Sequence, residues 1–157
     1  MEKAQGARRL AAAHHQGVLC TNSAKREGYP FGSVTPYALD GQGRPLFLIS
    51  SMAVHTKNLA ANPKAALLVS EETSEEGLLS GARANLLGSV AEVPDAEEPA
   101  AREAYLAQHP AAAQWADFGD FGFYRMDVAE VYYVGGFGMM GWVSASDYAG
   151  ANPASEG

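Results

Sequence analysis

Residues 32–51 form the segment GSVTPYALDGQGRPLFLISS, whose pattern is the main evidence for the fold. It consists of two apolar runs on either side of the polar segment DGQGR at 40–44. Glycine readily takes the positive φ angles that a tight hairpin needs. We therefore expect the runs to form two antiparallel strands, Gly32–Leu39 and Pro45–Ser51.

Short apolar or alternating runs elsewhere also indicate strands. They are Val18–Asn22, Lys64–Ser70, Ala82–Val93 and Phe121–Val134. Gly88, inside the third of them, indicates either a β-bulge or a point where another backbone comes close. Strands joined by short turns favour a mostly antiparallel barrel over the βαβ alternation of a doubly wound sheet.

Brief helices are expected to cover this barrel. They are Glu2–His15, which Gly17 ends, then His55–Ala61, Ala96–Gln108 and a short turn at 111–115. The helix His55–Ala61 must stop at Asn62-Pro63, because a residue before proline is pushed out of the helical region. The acidic segment 71–77 indicates a solvated loop, and the last ten residues, 148–157, are expected to be frayed.

The composition limits the classes of function. A chain of 157 residues suits one domain, which we place at 1–150 with a flexible tail at 151–157. The net charge of −7 argues against nucleic acid as a partner. No apolar run approaches the length that spans a bilayer, and no signal peptide is recognisable, so a cytoplasmic location is expected. Cys20, the single cysteine, excludes an internal disulfide and indicates a small buried apolar residue.

Two motifs suggest sites that their context does not support. The segment GFGMMG at 136–141 satisfies G-x-G-x-x-G, but no βαβ unit follows, so a nicotinamide site is not expected. His14 and His15 are adjacent and lack a partner at ligand spacing, so no metal site is predicted. The aromatic residues Tyr132, Tyr133, Phe137 and Trp142 indicate barrel core or a dimer interface more than a stacking site.

The segment SSMAVHTKN at 50–58 indicates a possible anion site, because it joins the end of a strand to the start of a helix. Helix N-terminal amides favour an anion, and Lys57 adds a full charge. The alternative is an ordinary Ser/Thr helix cap with an exposed lysine. Spacing alone leaves both interpretations open.

Taken together, GSVTP at 32–36, PLFLISS at 45–51, HTKNL at 55–59 and Asn62-Pro63 resemble the FMN-binding split-barrel superfamily, which includes pyridoxamine 5'-phosphate oxidase. The strand that runs into GGFG at 135–138 is similar to the branch of HugZ-type haem-degrading proteins and CREG glycoproteins. The resemblance implies a six-stranded antiparallel split β-barrel, mainly β in class. It also implies a homodimer whose two FMN sites use residues from both chains.

The resemblance also implies candidate cofactor-binding residues. Ser33, Val34 and Thr35 would line the flavin, and Arg83 and Asn85 would also contact the cofactor. His55 belongs to the same matching segment. The residues that would meet the ribityl chain and the phosphate are Ser50, Ser51, Thr56 and Lys57.

The departures from the oxidase pattern leave rival functions open. The basic residues that hold the FMN phosphate on the second strand are replaced by Ser33 and Ala38, and the vitamin B6 segment has no counterpart. We therefore expect an FMN-dependent oxidoreductase of unknown substrate that is not a true pyridoxamine 5'-phosphate oxidase. The alternatives are a haem-binding or haem-degrading HugZ-like protein, in which His14 or His15 could act as ligand, and a binding module that has lost flavin.

Overall fold

A computed structural model describes residues 1–72, 80–136 and 138–154. The described residues form eight strands, four α-helices and two short 3₁₀ segments. The strands are β1 (Gln16–Asn22), β2 (Pro30–Pro36), β3 (Ala38–Leu39), β4 (Pro45–Ser50), β5 (Lys64–Ser70), β6 (Arg83–Glu92), β7 (Phe121–Val134) and β8 (Met140–Ser144). The helices are α1 (Glu2–Ala13), α2 (Val54–Ala61), α3 (Glu98–Gln108) and α4 (Ala145–Gly150), and the 3₁₀ segments are Asp95–Glu97 and Pro110–Gln114.

All strand pairs are antiparallel, and the strands follow the order β2-β1-β5-β6-β7-β4-β3, with β8 added on β7. The two ends of this path, β2 and β3, are consecutive in the chain and separated only by Tyr37. One bent stretch of chain therefore closes the sheet into a barrel with six wall positions. This confirms the predicted split barrel, and β8 is an addition to it.

The hairpin at 40–44 forms as predicted. The Asp40 carboxylate accepts hydrogen bonds of 2.9 Å from the backbone N–H groups of Gln42 and Arg44, and Gly43 has a φ of +78°. The predicted single strand Gly32–Leu39 is wrong in one respect, because Tyr37 interrupts it. The phenol of Tyr37 is buried and donates a hydrogen bond of 2.6 Å to the carbonyl of Ala11 in α1.

Gly88 lies at a β-bulge and also at a close approach of another backbone, the two alternatives that its position in the sequence indicated. The pairing of β6 with β7 shifts register between Leu87 and Gly88, which marks a β-bulge. A Cβ atom on Gly88 would overlap the carbonyl oxygen of Asp127, so the neighbouring backbone also comes too close for any side chain. The bulge bends β6 and β7 and helps to curl the sheet.

The barrel interior is the main hydrophobic core. Leu19, Leu67, Leu86 and Val131 are cross-strand partners on β1, β5, β6 and β7, and each has no exposed surface. Burial of a side chain of this size contributes about 1.5–3 kcal/mol relative to leaving it in water. Apolar residues of α1 pack into the same cluster, so α1 closes one end of the barrel.

A second apolar cluster lies on the outside of the barrel. Leu46 and Leu48 of β4 and Phe123 of β7 pack there against Tyr105 of α3 and Ala112 of the second 3₁₀ segment. The segment from α3 to Gln114 therefore covers the outer surface of β3, β4 and the start of β7. The outer surface of the remaining strands has no comparable helical cover among the described residues.

The largest errors of the sequence interpretation concern the C-terminal residues. Residues 148–157 were expected to be frayed, but Tyr148 is fully buried in α4 and Ala151 is also buried, at the start of the expected flexible tail. Strand β8 and helix α4 were not predicted, because the glycine run at 135–141 obscures the strand period and α4 is only one and a half turns long. The N-terminal helix ends at Ala13, before the predicted His15.

Residues 73–79 of the acidic segment, Phe137 and residues 155–157 of the tail lie outside the described residues. The predictions made for them stay predictions. Met140 and Gly141, the last two residues of the segment GFGMMG at 136–141, begin strand β8, whereas a dinucleotide-binding motif opens a helix.

Candidate functional site

One row of cross-strand partners defines an uncovered outer surface of the barrel. The row runs from β2 through β1, β5, β6 and β7 to β8, and its members are Val34, Val18, Leu68, Asn85, Tyr132 and Trp142. Directly paired residues project to the same side of a sheet, and the adjacent row faces the buried core. The first row therefore points outward. We call the outward side of these six strands the open face.

The open face is largely apolar and reaches solvent at its edges. The exposed fraction is 70% for Val34 and 58% for Trp142. The Tyr132 and Trp142 rings form an edge-to-face pair with centroids 5.0 Å apart. Arg83 and Asn85 add polar groups on β6. Side chains alternate between the two sides of a strand, and Arg83 lies two residues from Asn85, so both face outward. Exposed apolar surface on both sides of a few polar groups, as on these six strands, marks an interaction site.

The predicted β2 residues do not all point to the same side. Val34 projects from the open face, whereas Ser33 and Thr35 pair with inward-facing positions of β1. Thr35 is buried, and its hydroxyl donates a hydrogen bond of 3.1 Å to the carbonyl of Ser33. Only one side chain of the predicted trio is therefore available on the open face.

A cavity of about 500 Å³ lies where α2 crosses the ends of β6 and β7, at the mouth of the barrel. We call it the mouth cavity. Its lining residues are Ser51, Thr56, Lys57, Leu59, Ala60, Pro63, Val90, Ala91, Glu92 and Tyr124. The structure thus brings Ser51, Thr56 and Lys57 into one cavity, at a position where barrels commonly hold ligands.

The start of α2 has the polar groups of an anion site without the expected cap. The residue that precedes α2 is Ala53, and no side chain caps the helix, so the alternative of a Ser/Thr cap is wrong. The hydroxyl of Thr56 is buried and has no hydrogen-bond partner. Lys57 is exposed and, among the described residues, forms no ion pair.

Two carboxylates stand beside these groups, and sequence reasoning missed both. The Ser50 hydroxyl donates a hydrogen bond of 2.7 Å to the carboxylate of Asp120, and the Ser51 N–H donates one of 2.7 Å to the Asp120 carbonyl. In the mouth cavity, the Tyr124 hydroxyl donates to the carboxylate of Glu92 at 3.2 Å. Burial raises the pKa of Tyr124, and the charge and hydrogen bond of Glu92 raise it further.

His55 and Asn58 occupy the side of α2 that faces the protein. His55 is half-buried, its Nε2 atom has no partner, and burial lowers the pKa of its imidazole. The carboxamide of Asn58 accepts a hydrogen bond of 2.9 Å from Ala24 N–H and donates one of 3.1 Å to the hydroxyl of Thr21. Asn58 therefore fixes α2 to β1, which is a structural role that sequence reasoning did not assign.

The two groups of predicted cofactor residues are far apart within one chain. Asn85 lies near the start of β6, and Glu92, in the mouth cavity, ends it. Seven residues of a straight strand would separate them by about 23 Å, and the bend at Gly88 makes the true separation shorter. A ligand that contacts both Arg83 or Asn85 and Lys57 would need to be long or to lie between two copies of the chain.

The remaining histidines lie at helix ends. His14 and His15 line a cavity of about 200 Å³ together with Ala38 and Gln108, which is smaller than the about 300–1,000 Å³ of typical ligand sites. The Nε2–H of His109 donates a hydrogen bond of 2.7 Å to the carbonyl of Tyr37. In the described part of the chain, no three His, Cys, Asp or Glu residues are grouped closely enough to hold a metal ion.

The closed antiparallel barrel with one uncovered outer face defines a split β-barrel protein. The model of the CREG β-barrel family matches residues 1–150, and the chain belongs to that family.

Three known proteins show the extent of the similarity. The chain is 46% identical over 120 residues to the non-canonical heme oxygenase HOZ, chloroplastic, of Arabidopsis thaliana, with 76% of this chain and 36% of that protein covered. A heme binding protein from Mycobacterium smegmatis has a TM-score of 0.88 at 35% identity, with 95% of this chain and 60% of that one covered. A putative pyridoxamine 5'-phosphate oxidase from Listeria innocua has a TM-score of 0.65 at 13% identity, with 84% and 98% covered, and shows the shared fold.

The chain spans 36% of the length of the Arabidopsis relative and 60% of the mycobacterial protein. None of the helices in the described residues combines the length and the apolar character needed to cross a membrane.

Proposed function

We propose that the chain forms a homodimer through the open face and binds haem there, between the two copies. The observation that carries this proposal is the uncovered apolar surface that includes Val34, Tyr132 and Trp142. Two relatives above 30% identity are named for haem, which supports haem ahead of FMN.

The residues of the open face fit the demands of a porphyrin. A porphyrin is flat and apolar over most of its surface, and the side chains of Val18, Leu68 and Tyr132 offer a matching surface across three strands. The propionate groups need cationic or amide donors, which Arg83 and Asn85 would supply from the same side of β6. Bound haem would supply the redox and oxygen chemistry.

An iron ligand would have to come from a side chain other than histidine, or from outside the described chain. The four histidines lie in helices or at helix ends, and none belongs to a strand of the open face. By the alternation of side chains along their strands, Cys20, Tyr132 and Met140 face outward on the open face. All three belong to residue types that ligate haem iron. These three are the candidates that a ligand search should test.

FMN is the second candidate. The observation in its favour is the start of α2, where the unpartnered Thr56 hydroxyl and Lys57 meet in one cavity. Against it stand the carboxylates of Glu92 and Asp120, because negative charge near the site disfavours a phosphate dianion. With Lys57 as the one cationic side chain among the described residues that line the mouth cavity, the phosphate would be held weakly.

Absorption spectroscopy tests the choice of cofactor. We expect haem titrated into the purified protein to give a shifted Soret band that saturates, and we expect FMN fluorescence to remain unquenched. Quenched FMN fluorescence without a Soret shift would select the flavin candidate, whether as a flavin-dependent oxidoreductase or as a carrier. No response to either ligand would leave a split-barrel module without a cofactor.

A matched pair of variants tests the open face. Trp142 and Phe118 are aromatic residues with exposed fractions of 58% and 57%, but only Trp142 lies on the open face. We expect Trp142→Lys to convert the dimer to a monomer in light scattering and to abolish the Soret shift. Phe118→Lys should change neither. A wild-type protein that is monomeric at all concentrations would overturn the dimer proposal.

Haem degradation and location need separate tests. Loss of the Soret band under ascorbate and oxygen, with release of iron, would establish an oxygenase, whereas a stable band would indicate a haem carrier. We propose a cytoplasmic location, although the name of the Arabidopsis relative assigns that protein to the chloroplast. A fluorescent fusion to the full chain would decide between the compartments.

A further inference from the structure

The mouth cavity presents opposite charges on different structural elements. Lys57 extends from α2, and Glu92 ends β6, yet the two form no ion pair among the described residues. The cavity therefore holds one unpaired ammonium group and one carboxylate whose only described side-chain partner is the Tyr124 hydroxyl. A ligand that carries both charges would complement it.

The Lys57 side of the cavity suits an acid group. The first turn of α2 has backbone N–H groups without side-chain caps, and these groups favour negative charge. Thr56 lines the same cavity, is more than nine-tenths buried, and its hydroxyl has no hydrogen-bond partner. A buried hydroxyl without a hydrogen bond is unfavourable, so a ligand that supplies an acceptor would satisfy it.

The Glu92 side suits an ammonium group. Tyr124 donates to one carboxylate oxygen, Oε1, and orients the carboxylate at the cavity wall. The second oxygen remains available to accept a charge-assisted hydrogen bond. Leu59, Pro63 and Val90 add an apolar wall to the same cavity.

We propose that the mouth cavity binds a small zwitterion of the α-amino acid class, with its acid group at Thr56 and Lys57 and its ammonium group at Glu92. The volume of about 500 Å³ lies within the range of small-molecule sites. An apolar side chain on the ligand would contact the apolar wall. The site lies at the end of β6 opposite Arg83, so it does not depend on the proposed haem site.

Calorimetric titration with four probes tests the proposal. L-Leucine has both charges, 4-methylpentanoate lacks the ammonium group, isopentylamine lacks the carboxylate, and inorganic phosphate represents the anion of a nucleotide. We expect L-leucine to bind about tenfold or more tightly than either singly charged analogue, because each lost ion pair leaves a charged group of the protein unpaired. Phosphate should not compete.

Three variants assign the contacts. Lys57→Gln should abolish the preference for L-leucine over isopentylamine, and Glu92→Gln should abolish the preference over 4-methylpentanoate. Both side chains are exposed, so the fold should tolerate the changes. Thr56→Val should weaken leucine binding while the protein becomes more stable, a combination that a purely structural hydroxyl would not produce.

Three results would overturn the proposal. They are the absence of leucine binding, equal affinity for leucine and both analogues, and displacement of leucine by phosphate or FMN. The last result would assign the cavity to a nucleotide phosphate and support the flavin candidate.

Discussion

The phenol of Tyr148 donates a hydrogen bond of 2.6 Å to the carbonyl of Gly43, which lies 105 residues earlier in the chain. Both residues are buried, and the contact ties α4 to the hairpin between β3 and β4. Arg8 of α1 packs over the Tyr148 ring, with its guanidinium carbon 5.3 Å from the ring centroid. Three distant segments of the chain therefore meet at this one residue.

Removal of the Tyr148 hydroxyl tests the strength of this contact. Tyr148→Phe should lower the free energy of unfolding by about 1–3 kcal/mol, because the Gly43 carbonyl would remain buried without its donor. Tyr124→Phe removes a hydroxyl whose hydrogen bond is exposed and should change stability by about 0.5 kcal/mol or less. Urea denaturation followed by circular dichroism measures the free energy of unfolding of both variants. Equal losses of stability would contradict the view that the buried hydrogen bond of Tyr148 contributes more than the exposed one of Tyr124.

Two glycines of the same hairpin should respond to alanine in opposite directions. Gly43 has a φ of +78°, and an added Cβ would lie 2.5 Å from Nε of Arg8, so Gly43→Ala should destabilise the protein by more than about 1 kcal/mol. Gly41 has neither a positive φ nor a neighbour within 4 Å. Gly41→Ala should be neutral or stabilise by about 0.4–1 kcal/mol. The melting temperatures of the two variants test this prediction. Similar changes in melting temperature for both variants would be inconsistent with this geometry.

Arg8 should contribute more to stability than its neighbour Arg9. Its guanidinium is buried and donates hydrogen bonds of 3.0 Å to the carbonyls of Tyr148 and Ala149, at the C-terminal end of α4. Arg8→Ala should lower the free energy of unfolding by about 2–4 kcal/mol, since two charge-assisted bonds and packed area are lost. Arg9→Ala, at an exposed position, should cost clearly less. Chemical denaturation of both variants would show whether this order holds.

His55 should make stability depend on pH. Burial lowers the pKa of its imidazole in the folded state below the usual 6.5, so the unfolded chain binds a proton first as the pH falls. The stability that the neutral imidazole provides is complete above pH 6.5. It should decline as the pH drops from 6.5 towards the lower folded pKa.

Unfolding free energies between pH 7.5 and 5 test this effect. His55→Gln should flatten the profile in this window. His15→Gln, at an exposed position, should keep the wild-type slope. The same slope in all three proteins would show that other groups cause the pH dependence.

Local signals in the sequence were sufficient for most of the barrel wall. Lys64–Ser70 and Phe121–Val134 match β5 and β7 at both ends, because turn residues bound each run clearly. The bend at Tyr37 could not be predicted, since it arises from closure of the sheet around the core. Strand β8 was missed because its pairing with β7 depends on glycines at 136, 138 and 141 with positive φ, which look like a loop in the sequence.

The candidate site was predictable where its residues are close in sequence. Ser51, Thr56 and Lys57 meet because one turn and the start of one helix hold them. Glu92 and Tyr124 join them only through the register of β6 against β7, which depends on the bulge at Gly88. No local pattern could have assigned those two residues to the same cavity.

The contact between Arg8 and α4 constrains the order in which the protein can fold during synthesis. The carbonyls that receive the Arg8 guanidinium are added 140 residues after it. At about 5–20 residues per second, a ribosome needs on the order of ten seconds to make that interval. Throughout this time the N-terminal helix lacks the partner for its buried charge, so the barrel can close stably at that end only after α4 has left the ribosomal exit tunnel.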